Sequence, residues 1–179
     1  KKNFLIESGD SYGVDFLLKY SKSRLYIWAV YSLQKSTRWD GFVEYAPVFD
    51  RRHNINLVGT YLFGKKKGTE LSIRWNFGSG LPFTPTSGYF QLDNFGNGVT
   101  TDYTTSNPNA VSVDLGEFNS GRLPTYHRLD ITLKKSFTFK NSSVLEIIAS
   151  VTNAYNRRNI FYVNRVTNEV INQFPILPS

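Results

Sequence analysis

The sequence predicts an all-β fold, a run of antiparallel strands forming part of a transmembrane β-barrel wall. Three observations predict it. Apolar residues recur with period two along the chain, and helical spacing does not recur. Connections alternate between tight turns and long loops. No apolar run approaches the ~20 residues of a membrane-spanning helix, which excludes a helical membrane protein. A barrel strand needs only alternate apolar positions, so a mean hydropathy of -0.32 is compatible with it.

Six stretches carry the alternation. Residues 11–21 place Tyr12, Val14, Phe16, Leu18 and Tyr20 on one face, with Gly13, Asp15, Leu17 and Lys19 opposite. Residues 24–34 oppose Leu25, Ile27, Ala29, Tyr31 and Leu33 to Tyr26, Trp28, Val30, Ser32 and Gln34. Residues 53–63 oppose Ile55, Leu57, Gly59, Tyr61 and Phe63 to Asn54, Asn56, Val58, Thr60 and Leu62. In 70–77 the apolar set is Leu71, Ile73, Trp75 and Phe77, against Glu70, Ser72, Arg74 and Asn76. In 128–139 it is Leu129, Ile131, Leu133, Phe137 and Phe139, against Arg128, Asp130, Thr132, Lys134 and Ser136. In 143–153 it is Leu145, Ile147, Ala149 and Val151, against Val144, Glu146, Ile148, Ser150 and Thr152. Most of these match the ~9–11 residues of a membrane-crossing strand.

Tight turns join the strands pairwise at Ser21-Lys22-Ser23, Gly64-Lys65-Lys66-Lys67-Gly68 and Lys140-Asn141-Ser142. Between the pairs lie long segments of 36–52, 78–127 and 154–176, the last with a loop hairpin expected around Thr167-Asn168. Short turns at one end and long loops at the other distinguish a membrane barrel from a soluble sandwich. Aromatics close several strands beside the turns, where an interfacial girdle belongs, as Tyr20, Tyr61, Phe63, Phe137 and Phe139.

The chain has 179 residues, a formal charge of +7, 16% aromatics, and neither cysteine nor methionine. Without cysteine, a disulfide scaffold, a thiol zinc site and a cysteine nucleophile are excluded. Without methionine, the chain reads as a segment of a longer polypeptide. Its basic residues are split between the two ends of the strands, a pattern that disfavours nucleic acid as a partner.

Several motifs, in order, resemble TonB-dependent receptors. They are Tyr12-Gly13-Val14-Asp15 after Glu7-Ser8-Gly9-Asp10, the strand end Tyr31-Ser32-Leu33-Gln34-Lys35-Ser36, and Asp50-Arg51-Arg52-His53-Asn54-Ile55-Asn56. Trp75-Asn76-Phe77-Gly78-Ser79-Gly80-Leu81-Pro82, Tyr126-His127-Arg128-Leu129-Asp130-Ile131 and Asn153-Ala154-Tyr155-Asn156-Arg157-Arg158-Asn159-Ile160 follow. The resemblance spans most of residues 1–179 and matches the C-terminal part of such a barrel. It implies about six strands of a 22-stranded cylinder in the outer membrane of a Gram-negative cell, with long loops extracellular and short turns periplasmic. It further implies active import of a scarce nutrient to the periplasm with energy from TonB. The partners implied are the rest of the receptor with its plug domain, the TonB complex, outer-membrane lipid, lipopolysaccharide, and a small-molecule, glycan or peptide cargo. The chain departs from the family in lacking a plug and a TonB box, and Ile176-Leu177-Pro178-Ser179 resembles the start of a last strand. A small barrel with an adhesin or structural role is the alternative, and an outer-membrane hydrolase using Asp50 and His53 a third reading.

Within the loop 78–127, Tyr89, Phe90, Phe95, Tyr103 and Phe118 offer stacking surfaces, and Asp93, Asn94, Asn97, Asp102 and Asn107 hydrogen-bonding groups. They are candidates for ligand contact, or for ordinary turn chemistry. Asp15, Lys19, Glu70, Arg74, Arg128, Asp130, Lys134 and Glu146 are expected on the lumen side, facing a plug, a polar path, or each other. Arg38, Arg51-Arg52 and Arg157-Arg158 are rim charges or contacts for lipopolysaccharide phosphates. His53 and His127 begin strands separated by a third, so no metal site and no cofactor is expected. Enzyme motifs are absent: Gly64-Lys65-Lys66-Lys67-Gly68-Thr69 fails the phosphate-loop spacing, and Gly78-Ser79-Gly80 is no nucleophile elbow.

Overall fold

A computed structural model describes residues 7–64, 68–91, 111–164, 167 and 169–178. Its main sheet is a meander of six long strands: β1 (Ser8–Lys22), β2 (Leu25–Trp39), β4 (His53–Phe63), β5 (Thr69–Gly78), β10 (Tyr126–Thr138) and β11 (Val144–Thr152). The short β3 (Glu44–Tyr45) pairs with the end of β2, and β14 (Leu177–Pro178) with the end of β11. Every pairing is antiparallel, and no helix occurs among the described residues. The sheet is open, with β1 at one edge, and no strand pairing closes it into a cylinder among the described residues.

All six alternating stretches are strands, and the loops are more structured than expected. β2 runs on to Trp39, so the first long loop begins four residues later than the predicted boundary of 36. The segment 78–127 carries its own ladders: β6 (Pro82–Phe83) pairs with β9 (Gly121–Arg122), and β7 (Thr86–Gln91) with β8 (Val111–Leu115). The expected hairpin near Thr167 exists as β12 (Ile160–Val163) and β13 (Val170–Asn172).

Register decides the character of the sheet, because a slip of one residue would turn every side chain to the other face. No slip occurs. Leu33 faces His53, Ala29 faces Leu57, Leu57 faces Trp75, Ile73 faces Ile131, and Leu133 faces Ala149. One face is therefore apolar across all six strands. The other carries Asp15, Lys19, Glu70, Arg74, Arg128, Asp130, Lys134 and Glu146 together with Asn54, Asn56 and Asn76. The apolar face is uncovered: Phe16 is 61% exposed, Leu133 47% and Ile147 54%, and no aliphatic or aromatic side chain other than two loop-end prolines, Pro47 and Pro82, is buried among the described residues.

The turns are staggered. The row through Tyr20 crosses Ile27, Gly59, Ile73, Ile131 and Val151. Beyond that row the chain reverses after about three residues at Ser23, about seven between Gly64 and Gly68, and about ten at Asn141. Strands ~4.8 Å apart with a ~3.3 Å rise then lie at roughly 50° to the normal of a plane through the three turns. Ser23 (φ 51°), Gly64 (φ 81°) and Ser142 (φ 63°) supply the positive φ that reverses the chain. The Asn141 carboxamide accepts the Ser143 N–H at 3.2 Å, so Asn141 serves the turn.

Candidate functional site

The polar face holds two recesses, one above the other. The upper, of ≈ 620 Å³, is lined by Trp28, Arg51, Asn54, Asn56, Arg74, Asn76, Tyr126, Arg128 and Gln173, among others. Successive rows of the sheet build it: Asn54–Gly78–Tyr126, then Asn56–Asn76–Arg128, then Trp28–Val58–Arg74. Asn76 donates to Asn56 across the strands. Arg51 descends from the loop end and lies over Gly78, with its guanidinium 5.6 Å from the Tyr126 ring centroid. A Cβ at Gly78 would overlap that guanidinium, so glycine there is what lets Arg51 lie flat on the sheet.

The lower recess, of ≈ 440 Å³, is of mixed charge, with Glu70 and Asp130 set among Arg74, Arg128 and Lys134. Asp130 takes Arg128 Nη2 at 2.9 Å on one oxygen and the Asn153 N–H at 3.0 Å on the other. Lys134 pairs with Glu146 at 3.3 Å, and Ser136 donates to the same Glu146 oxygen at 3.0 Å. The structure thus brings Arg74, Arg128, Asp130, Lys134 and Glu146 together on one face. Asp15 and Lys19 share that face on the exposed edge strand β1, with no ion pair among the described residues.

Among the predicted loop contacts, Tyr89 lines an aromatic recess of ≈ 630 Å³ with Phe83, Phe161 and Tyr162. Phe90 is half exposed on β7. Phe118 stands elsewhere, packed edge-to-face on Tyr45 at 4.8 Å over a recess that also holds Asp40, Glu44 and Glu117. Asp93, Asn94, Phe95, Asn97, Asp102, Tyr103 and Asn107 lie outside the described residues.

Most rim arginines have work inside the molecule. Arg38 pairs with Glu7 at 3.2 Å and lies 5.6 Å over Phe49. Arg52 reaches Asp50 at 3.6 Å, and Arg157 donates to the Thr125 carbonyl at 3.4 Å. Arg158 is exposed. Asp50 is a fastening rather than an exposed base. It has no accessible surface, accepts the Ser36 N–H at 2.9 Å, and is bound by Arg122 at 2.5 Å. Burial alone would raise its carboxyl, but the Arg122 hydrogen bond, the Ser36 N–H and the charges of Arg122 and Arg52 outweigh burial and hold it below its ordinary value.

Both histidines sit at the loop end of the apolar face, each bonded to a tyrosine. Tyr31 and His53 meet at 2.9 Å, and His127 and Tyr155 at 2.6 Å. No group of three potential metal ligands is present among the described residues. Lys135 also stands on the apolar face, next to the turn, donating to Thr69 at 2.7 Å with its ammonium 5.7 Å from the Phe137 ring centroid.

Sequence reasoning missed the asparagine fastenings. Asn153, fully buried at φ 55°, donates to the Arg157 and Phe174 carbonyls and accepts the Arg157 N–H at 2.9 Å. Asn159 exchanges hydrogen bonds with both backbone groups of His127, at 3.1 and 2.9 Å, as a strand partner would. Asn156 accepts the Ile176 N–H at 3.0 Å. The three-residue spacing of these asparagines was visible, but short polar side chains that replace backbone partners have no periodic signature. No protein-family model, no curated protein and no solved structure matches the chain.

Proposed function

We propose that this chain is a stretch of wall from an outer-membrane β-barrel transporter of the TonB-dependent receptor type. Its apolar face meets lipid, its polar face lines the lumen, and its long loops reach the cell exterior to gather a scarce nutrient. One observation carries the reading: six strands share one predominantly apolar face, the charged residues of the alternating stretches, Lys135 apart, stand on the other, and nothing among the described residues covers the apolar one. In water such a face would be costly at ~25 cal/mol per Å² of apolar surface, whereas in hydrocarbon it is at its lowest free energy.

Three further features support the reading. The roughly 50° inclination lies close to, and slightly above, the ~35–45° that barrel strands adopt. Tyr20, Tyr61, Phe63 and Phe137 lie near the turns, while Tyr12, Trp75, Phe77 and the two tyrosine–histidine pairs stand toward the loops, as two girdles would. Lys35, opposite Tyr12, and Lys135 interrupt the apolar face only near those limits.

Single cysteines along β10 test the reading, and the chain has no cysteine of its own. In the intact protein in liposomes, a water-soluble maleimide should label positions 130, 132 and 134 and spare 129, 131 and 133. Equal labelling of both sets would refute the wall reading. A parent polypeptide only about this long, closing as a small barrel, would favour the adhesin or structural role instead.

A further inference from the structure

The upper recess has a composition that neither wall-building nor balanced charge requires. Its lining contains Arg51, Arg74 and Arg128 and not one carboxylate. The nearest candidate to neutralise them, Asp130, is spent: Arg128 holds one oxygen and the Asn153 N–H the other. Arg74 stands directly across from Asp130 in the ladder and has no ion pair among the described residues. Arg128 also keeps its Nε buried with no hydrogen-bond partner.

The three arginines come from successive levels of the sheet. Arg74 lies lowest on β5, Arg128 one row higher on β10, and Arg51 one row above that, seated on Gly78. Rows two residues apart are separated by roughly 6–7 Å. Beside these arginines stand the amides of Asn54, Asn56, Asn76 and Gln173, with the indole of Trp28 at the foot. Guanidinium forks match carboxylate and phosphate oxygens, and side-chain amides match hydroxyls.

We propose that this recess binds a hydroxyl-bearing polyanion, whose carboxylate or phosphate groups are taken by Arg74, Arg128 and Arg51. The inference rests on the reading of the polar face as the lumen side of a barrel wall, and it names the ligand class of the loop-end part of that face. The lower recess shares Arg74 and Arg128 but adds the carboxylates of Glu70 and Asp130, and its own cation Lys134 is paired with Glu146, so an anion is less favoured there.

Calorimetric titration of the intact protein in detergent tests it, using digalacturonate and tripolyphosphate as probes and the dimethyl ester of digalacturonate as the uncharged control. At least one anion should bind saturably, more weakly as salt rises, while the ester does not bind. The two anions separate carboxylate from phosphate preference. Arg74→Gln and Arg128→Gln should each weaken binding about tenfold or more, Arg74→Gln with an unchanged unfolding midpoint because, unlike Arg128, it has no ion pair among the described residues to lose. Lys134→Gln, in the lower recess, should stay within about twofold of wild type. Absence of saturable binding by either anion, or undiminished binding in both arginine variants, overturns the proposal. The alternating cysteine pattern is read separately, so a wall without an anion site is distinguishable from no wall.

Discussion

Among the described residues, Asp50, Thr84, Asn119, Asn153 and Asn159 are buried, all of them polar and all at the loop end, with Ser36 on β2 beside them. The six-strand sheet, by contrast, leaves its leucines, isoleucines and aromatics uncovered. A water-soluble domain does the reverse, with apolar residues inside and polar ones out. The difference teaches where each region gets its stability. The loop end is held by internal hydrogen bonds and one buried ion pair, and the sheet by its ladders, its apolar face having no cover among the described residues.

Asp50→Ala should break the loop end hardest. It strips Arg122 and the Ser36 N–H of their shared acceptor, and removing one partner of a buried pair costs about 3–5 kcal/mol. Because Arg122 is itself one-third exposed, about 3 kcal/mol is expected, seen as faster proteolysis of the loops while the sheet persists. The sheet should fail differently. Leu133→Arg puts a charge near the middle of the apolar face and should cost about 2–4 kcal/mol in a lipid-refolding titration. Thr132→Arg, one residue away on the polar face, should cost less than about 1 kcal/mol. Similar losses for the two would erase the distinction between faces.

Asn153→Ala should cost about 2 kcal/mol, since it orphans buried backbone groups of Arg157 and Phe174. Hydrogen exchange should show this as lost protection confined to the 153–176 segment. Acid should loosen the same end of the molecule. Since folding holds the Asp50 carboxyl below its ordinary value of about 3.9, its stabilisation is present above that pH and is lost as pH falls through the depressed value. Asp50→Asn should remove this acid-dependent step from the loop-proteolysis profile. Smallest of all, Lys134→Ala should cost about 0.2–1 kcal/mol, the worth of a cross-strand pair that is partly exposed.

The sheet was legible because its constraint is periodic. Leu129, Ile131 and Leu133 alternate with Asp130, Thr132 and Lys134, and the ladder places them as the alternation implies. Lys135 breaks the pattern yet stays on the apolar face, because its long stem lets the ammonium reach Thr69 at the margin. The loop end was less legible. Asp50 and Arg122 are far apart in sequence, and nothing local marks Asp50 as buried, so it read as an exposed rim acid. The convergence of Arg51, Arg74 and Arg128 likewise depends on register and on the absence of a side chain at Gly78.

The row of Tyr20, Ile27, Gly59, Ile73, Ile131 and Val151 also bears on assembly kinetics. Three of its five junctions join strands adjacent through a turn of a few residues, and a fourth spans the loop between β2 and β4. The β5–β10 junction must bring together chain ends about ten times farther apart than those of the 64–68 turn. Closing it costs roughly 2 kcal/mol more in chain entropy. Hairpins β4–β5 and β10–β11 are therefore expected to form first and dock afterwards. The short β6–β9 ladder and the Asn119–Thr84 contact shorten the effective span that remains to be closed.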